Sequence, residues 1–239
     1  MNEDRLSTAG SCRITAVALW PTSRLRFTHT PAPEKKFYHL NPFLRRYLPA
    51  IAIWTLATGA FSPFANVYFS QYLRMPVERI GAVFSASQFS QVVAILAAPL
   101  IFRKFGLIAG IMYMQIATAV ALGCLSVVPG TASAALVYVG FMAFQWMSEP
   151  GMYSLLMSEV TPAERSSASA MNFLVISVAN AVAAFASGSA FAHFGYPAVL
   201  TMSAGVAFVA ALVFRLSLGG RDQTSRVAIA LATSRQDTI

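Results

Sequence analysis

Glu149 has the clearest capacity for chemistry in this sequence, because its carboxyl group lies inside a long apolar stretch. Pro150 and Gly151 follow it in the segment FQWMSEPGMYS. A charged group at the centre of a hydrocarbon layer costs about 2.5–3.5 kcal/mol on insertion scales. Protonation avoids that cost, and so does a water molecule or a hydrogen-bond donor beside the ionised group. A carboxyl group that passes between these states can couple to a proton or bind a cation. The alternative is a structural role, in which a neutral Glu149 is hydrogen-bonded to a neighbouring amide.

Polar side chains accompany Glu149 at helical spacing. Positions 138, 145, 149 and 153 fall on one side of a helix that turns by about 100° per residue. A second polar row lies in the first apolar stretch, at positions 58, 62 and 66. Such rows favour a wet cavity or a neighbouring helix over lipid. The predicted substrate and ion pathway contains Glu149, Gln145, Tyr153 and Tyr138 from one helix and Asn66, Ser62 and Thr58 from the other.

Proline interrupts both polar rows at about the same depth, roughly 15 residues into each stretch. Pro63 is the predicted helix break in the first row, and Pro150 with Gly151 is the break in the second. Matching breaks in two halves of a sequence are typical of transporter sites built on inverted repeats. The alternative is that proline is simply common in membrane helices. The other amides of the apolar stretches, which include Gln115 and Asn172, are interpreted as contacts between helices.

The elements that position these residues are apolar stretches of membrane-spanning length. Of the 239 residues, 56% are hydrophobic and 11% are charged, whereas soluble domains carry roughly a quarter charged residues. Six stretches reach the ~20 residues that a helix needs to cross ~30 Å of hydrocarbon. The sequence therefore predicts an all-α protein of six transmembrane helices in a lipid bilayer. The predicted spans are Leu48–Leu73, Ile80–Phe102, Phe105–Val128, Ala132–Met157, Ser166–Ala192 and Phe194–Phe214.

The net charge of +8 is explained by membrane topology rather than by nucleic acid as a partner. Alternate loops differ in their positive residues, and the richer side is expected to be cytoplasmic. Both termini are therefore predicted on the cytoplasmic side of the cell's inner (plasma) membrane. The richer side holds Arg45, Arg46, Arg103, Lys104, Arg165, Arg215 and Arg221, and the other side holds Arg74 and Arg79.

The domain prediction has three parts. Residues 1–42 are read as a polar, disordered extension, residues 43–218 as the six-span domain, and residues 219–239 as a polar tail. Cys12 and Cys124 are too few and too badly placed for a disulfide framework or a metal site. No hydrolase, zinc-protease or phosphate-loop motif is present in the sequence. We expect no enzyme activity, no cofactor and no metal site.

Three loops resemble those of the major facilitator superfamily of transporters. Residues 158–166 are similar to the Glu-x-x-Pro-x-x-x-Arg signature that this family places after its fourth or tenth span. Residues 194–197 resemble the short turn before the last span. Residues 99–106 lie where the family has Gly-x-x-x-Asp-Arg-x-Gly. There Pro99 and Arg103 replace the first Gly and the Asp, while Lys104 and Gly106 keep the basic residue and the last Gly.

The resemblance implies that the chain is the C-terminal six-helix half of such a transporter. Its first and fourth spans would then be the family's seventh and tenth, which line the central cavity. It also implies secondary active transport of a small-molecule substrate by alternating access, as symport or antiport with H⁺. Because the family needs about twelve spans, three readings follow. The chain is a fragment without its N-terminal half, or it pairs with itself or with a separate half, or it is a non-transporting membrane protein that acts as an interaction or assembly partner.

Overall fold

The structure is a computed structural model that describes residues 41–219. All regular secondary structure in this range is helical, with no strand, which confirms the predicted all-α class. The predicted N-terminal extension and C-terminal tail lie almost wholly outside the described residues. Within the range, five long helices are α1 (Pro42–Gly59), α2 (Val77–Phe105), α3 (Leu107–Val127), α4 (Thr131–Glu159) and α5 (Arg165–Leu218).

Four segments of residues 41–219 are long and apolar enough to cross a membrane: Pro42–Tyr72, α2, α3 and α5. The fourth predicted span is α4, which is 29 residues long like α2 but is not among these four segments. The fifth and sixth predicted spans both lie in α5, whose 54 residues are enough for two crossings.

The helix α5 turns back on itself at Gly195. This residue has φ 74° and ψ 169°, a positive φ that glycine adopts without strain. Ala183 and Val206, on opposite sides of the turn, line one cavity, so the two parts of α5 run side by side. We call residues 165–194 the N-arm and residues 196–218 the C-arm. Gly106, between α2 and α3, has nearly the same backbone conformation, with φ 87° and ψ 161°. The chain therefore contains two helical hairpins of the same kind.

The helices pack as two interlocked groups of three. The first helix of each group packs on the later helices of the other: α1 on α5, and α4 on α2 and α3. The groups also meet where α3 packs on α5, for example where Gly123 lies against Ala204. This exchange, together with the repeated hairpin, is the arrangement expected of two inverted three-helix repeats.

The end of the first span departs from regular α-helix. After α1 the chain forms a 3₁₀ turn at Ser62–Phe64, one α-turn at Ala65–Val67 and a π-helix at Tyr68–Tyr72. Pro63 has no N–H to continue the α-helical hydrogen bonds. The hydroxyl of Ser62 instead donates to the carbonyl of Thr58 at 3.0 Å. The first span is thus irregular along its second half.

Candidate functional site

Glu149 lies on α4, partly buried, within electrostatic range of the phenol groups of Tyr47 and Tyr153. Tyr153 is one turn further along α4, whereas Tyr47 comes from α1. The buried hydroxyl of Tyr47 donates a hydrogen bond to the carbonyl of Met152 at 3.1 Å. This hydrogen bond therefore joins α1 to the turn of α4 that follows Glu149.

Three amide side chains lie on α4, or contact it, within about one turn of Glu149, and each has a buried oxygen without a hydrogen-bond partner. Gln115 of α3 is 0% exposed, and its Nε2 donates to the sulfur of Met152 at 3.9 Å. Asn172 of the N-arm is 1% exposed and interacts with the phenol of Tyr153. Gln145 lies one turn before Glu149 on α4. We call this set the Glu149 cluster; its members are Glu149, Gln145, Tyr153, Tyr47, Gln115 and Asn172.

The cluster lies at the edge of an open face of α4. Trp146 and Tyr153 are 40% and 39% exposed, and both are within one turn of Glu149. Met152, about 100–120° around the helix from these two residues, is buried. Glu149 therefore lies at the boundary between the packed interior and a surface that a second body or an aqueous cavity can cover.

The helix α4 continues through Pro150 without a break. Pro150 lacks the N–H that would bond the carbonyl of Trp146, one turn earlier. Gly151 is buried where three helices meet. A Cβ atom on it would lie 2.6 Å from Cζ of Phe102 and 2.8 Å from Cγ1 of Ile111. The glycine thus allows α2, α3 and α4 to pack closely beside Glu149.

The second predicted row of polar residues is divided by the structure. Ser62 and Asn66 are exposed on the irregular part of the first span. Thr58 is buried, and its hydroxyl donates to the carbonyl of Trp54 at 3.2 Å. Ser62 and Asn66 therefore share an open surface, and Thr58 belongs to the packing of α1.

Tyr138 does not join the Glu149 cluster. It precedes Glu149 by eleven residues, which is about 16 Å along a helix. Its buried ring packs in a cluster of aromatic side chains, with centroids 5.2 Å from Phe69, 5.6 Å from Phe84 and 6.2 Å from Phe61. The row predicted on α4 thus divides into a polar end around Glu149 and an aromatic end around Tyr138.

Three members of the cluster were not predicted as site residues. Gln115 and Asn172 are among the amides that the sequence assigned to helix contacts, and Tyr47 precedes the predicted first span. Their approach to Glu149 depends on how α1, α3 and α5 pack on α4, which no local pattern records. For Gln115 and Asn172, the sequence offered one indication of a polar site, because an amide side chain inside an apolar span needs a hydrogen-bond partner.

No protein-family model matches this sequence, and no curated protein is similar to it. Two solved structures have similar folds. Both are crystal structures of a bacterial homologue of the iron transporter ferroportin in an outward-facing state, one of them with soaked iron. The TM-scores are 0.66 and 0.62 at 16% and 17% identity, over 82% and 74% of this chain.

The likeness establishes the fold of the chain. It is an integral membrane protein whose helices are arranged as in these two solved chains. The aligned part amounts to 51% and 46% of the solved chains, so this chain spans about half their length.

Proposed function

We propose that this chain is one six-helix half of a secondary transporter, the C-terminal half, and that it moves a small solute by alternating access. The observation that carries the proposal is the Glu149 cluster beside the open face of α4. A carboxyl group and unpaired amides are expensive in a membrane protein unless they serve transport or are fully paired. The fold supports the same reading, because the similar solved chains are described as transporter homologues.

A second six-helix unit would complete the pathway. The aligned regions make up about half of each solved transporter chain. Transporters of this type place the substrate site between two halves. The partner unit is either an N-terminal half or a second copy of this chain. In both cases the open face of α4, with Trp146 and Tyr153, would form one wall of the shared cavity.

Glu149 is the coupling residue in this proposal, and the coupling ion expected from the sequence is H⁺. In one state of the cycle the carboxylate faces water in the cavity and is ionised. In the other, protonation removes its charge before the site closes against a low-dielectric surrounding. The solute and the proton would then cross together or in exchange.

Replacing Glu149 with Gln tests the proposal. A pH gradient is applied across membrane vesicles that contain the full chain, and the flux of one of two probes is measured. The probes are Fe²⁺, because the similar solved chains are homologues of an iron transporter, and ethidium, an amphipathic cation. We expect gradient-driven flux of at least one probe, and we expect E149Q to abolish the gradient dependence.

The matched control is Glu78→Gln, because Glu78 is an exposed carboxylate in the first turn of α2, outside the cluster. E78Q should transport like the parent protein. Both variants should elute as the parent does in size-exclusion chromatography. Flux no greater than in empty vesicles for both probes would argue against transport by this chain. Flux that E149Q leaves unchanged would remove Glu149 from the mechanism.

A further inference from the structure

The unpaired oxygens of the Glu149 cluster are more numerous than a proton can satisfy. Gln115 Oε1, Asn172 Oδ1 and Gln145 Oε1 are buried without a hydrogen-bond donor. A protonated Glu149 has one O–H and could bond to one of them. Two buried acceptors would remain unpaired, which is unfavourable in a low-dielectric interior.

These oxygens belong to side chains that lie on α4, or contact α4, within about one turn of Glu149. Gln115 contacts Met152, three residues after Glu149, and Asn172 interacts with Tyr153, four residues after it. Gln145 precedes Glu149 by four residues. Positions three and four apart on a helix are neighbours on its surface. The amides of α3, α4 and the N-arm therefore occupy or contact positions of α4 that neighbour Glu149 on the helix surface.

A carboxylate with several amide oxygens is the ligand set of a hard cation, which takes oxygen ligands. The cluster offers one negative charge, so a monovalent cation makes the site neutral. A divalent cation would leave a net positive charge in the membrane interior, which is unfavourable. Among residues 41–219 there is no group of three His, Cys, Asp or Glu side chains placed to hold a metal ion.

We propose that Glu149, Gln115, Asn172 and Gln145 form a binding site for a dehydrated Na⁺ ion, which competes with H⁺ for Glu149. The coupling role of this ion rests on the proposed transport function, whereas its binding does not. The hydroxyl groups of Tyr47 and Tyr153 interact electrostatically with the carboxylate. As an O–H can also present its oxygen to a cation, either phenol can complete the coordination.

The test is equilibrium binding of radioactive sodium to the purified full-length protein in detergent. We expect saturable binding that excess Li⁺ and acid displace and that Mn²⁺ does not. E149Q should abolish binding. Asn172→Ala and Gln115→Ala should each weaken it about tenfold, the effect of losing one contact to a charged group.

Gln88→Ala is the matched control, because Gln88 is an exposed amide on α2 outside the cluster. It should bind sodium like the parent protein. Absence of saturable binding by the unmodified protein would overturn the proposal, and so would undiminished binding in E149Q. Binding that Mn²⁺ displaces as readily as Li⁺ would refute the monovalent assignment.

The binding assay and the flux assay test the sodium site and the transport activity separately. Flux driven by a pH gradient, without sodium binding, would keep the transporter and remove the sodium site. Sodium binding without flux of either probe would keep the site and remove the transport proposal.

Discussion

Phe102 lies between two glycines of neighbouring helices. A Cβ atom on Gly151 of α4 would lie 2.6 Å from its ring, and one on Gly110 of α3 would also lie 2.6 Å from it. The ring therefore cannot move away from one helix without meeting the other. We expect Gly151→Ala to lower the free energy of unfolding by about 1–3 kcal/mol, the usual cost of overpacking. A thermal-shift measurement on the detergent-solubilised protein checks this.

Gly81 supplies the control for that substitution. It is an exposed residue of α2, and no atom lies within 4 Å of the position its Cβ would take. Alanine is favoured over glycine inside a helix by up to ~1 kcal/mol. Gly81→Ala should therefore leave the melting temperature unchanged or raise it. Equal losses in the two variants would mean that Gly151 does not lie in a closely packed contact.

Tyr47 and Tyr68 form matching hydrogen bonds in different places. Each buried hydroxyl donates to a backbone carbonyl at 3.1 Å, Tyr47 to Met152 and Tyr68 to Leu125. Tyr47→Phe and Tyr68→Phe should each destabilise the protein by about 0.5–1.5 kcal/mol. Only Tyr47 adjoins Glu149, so only Y47F should also alter gradient-driven flux in the vesicle assay. Normal flux in Y47F would place Tyr47 outside the working site.

At the residue scale, the sequence identifies which residue types are unusual in an apolar stretch, but it does not identify the residues that contact them. Glu149 is conspicuous because a carboxyl group in an apolar stretch is costly. Tyr138 lies on the same face of α4 as Glu149, but it is about 16 Å nearer the start of the helix, among aromatic rings. A helical row identifies a direction around the axis but not which part of the row meets which neighbour. Gln115 and Asn172 join the site through contacts between helices, which are set by packing.

At the scale of elements, proline has different effects in the two rows. Pro63 lies in a 3₁₀ turn that separates α1 from a π-helix, whereas Pro150 lies in a continuous α-helix. A proline predicts a lost hydrogen bond, but the response of the helix depends on its surroundings. Around Pro150, the close contacts of Gly151 hold α4 in place. Near Pro63, the exposed Ser62 bonds back to Thr58 instead.

Pro63→Ala should make the second half of the first span more regular. Restoring an N–H at this position allows α1 to continue past Gly59, so amide hydrogen exchange over residues 60–72 should slow. Because irregular helices in transporters act as flexible elements, gradient-driven flux should fall while stability is kept or increased. Pro99→Ala is the control, since Pro99 is exposed within the continuous α2. Unchanged exchange in P63A would mean that the irregular segment does not depend on the proline.

The arrangement of the elements was predicted in outline. The apolar stretches correspond to α1 through α5, because burial in hydrocarbon requires long apolar helices. The ends of the observed helices differ from those of the predicted spans where the chain begins a helix or turns. The first predicted span begins at Leu48, but Asn41 caps the helix through Oδ1, which accepts from the N–H of Phe43 at 3.2 Å. The fifth and sixth spans join in α5, where Gly195 alone provides the turn.

At the scale of the whole molecule, the same helical hairpin occurs twice, but the basic residues are distributed unevenly between the loops. The basic residues predicted on the cytoplasmic side are exposed near the start of α1, the end of α2 and the start of α5. These are Arg45, Arg46, Arg103, Lys104 and Arg165. The basic residues predicted on the other side of the membrane are Arg74 and Arg79, with Glu78 beside them. Positive loops remain cytoplasmic during insertion, so this difference predicts the orientation of the unit.

Labelling of single cysteines tests that orientation and the number of crossings together. In a Cys12→Ser, Cys124→Ser background, Arg103→Cys and Arg165→Cys should react with a membrane-impermeant maleimide only after permeabilisation. Arg79→Cys and His193→Cys should react in intact cells. His193 decides the outcome for α5, because it is exposed two residues before the turn at Gly195. If α5 crosses twice, this residue faces the outside together with Arg79. If α5 crosses once as a single helix, His193 lies near the middle of its 54 residues, in hydrocarbon, and stays unlabelled under both conditions.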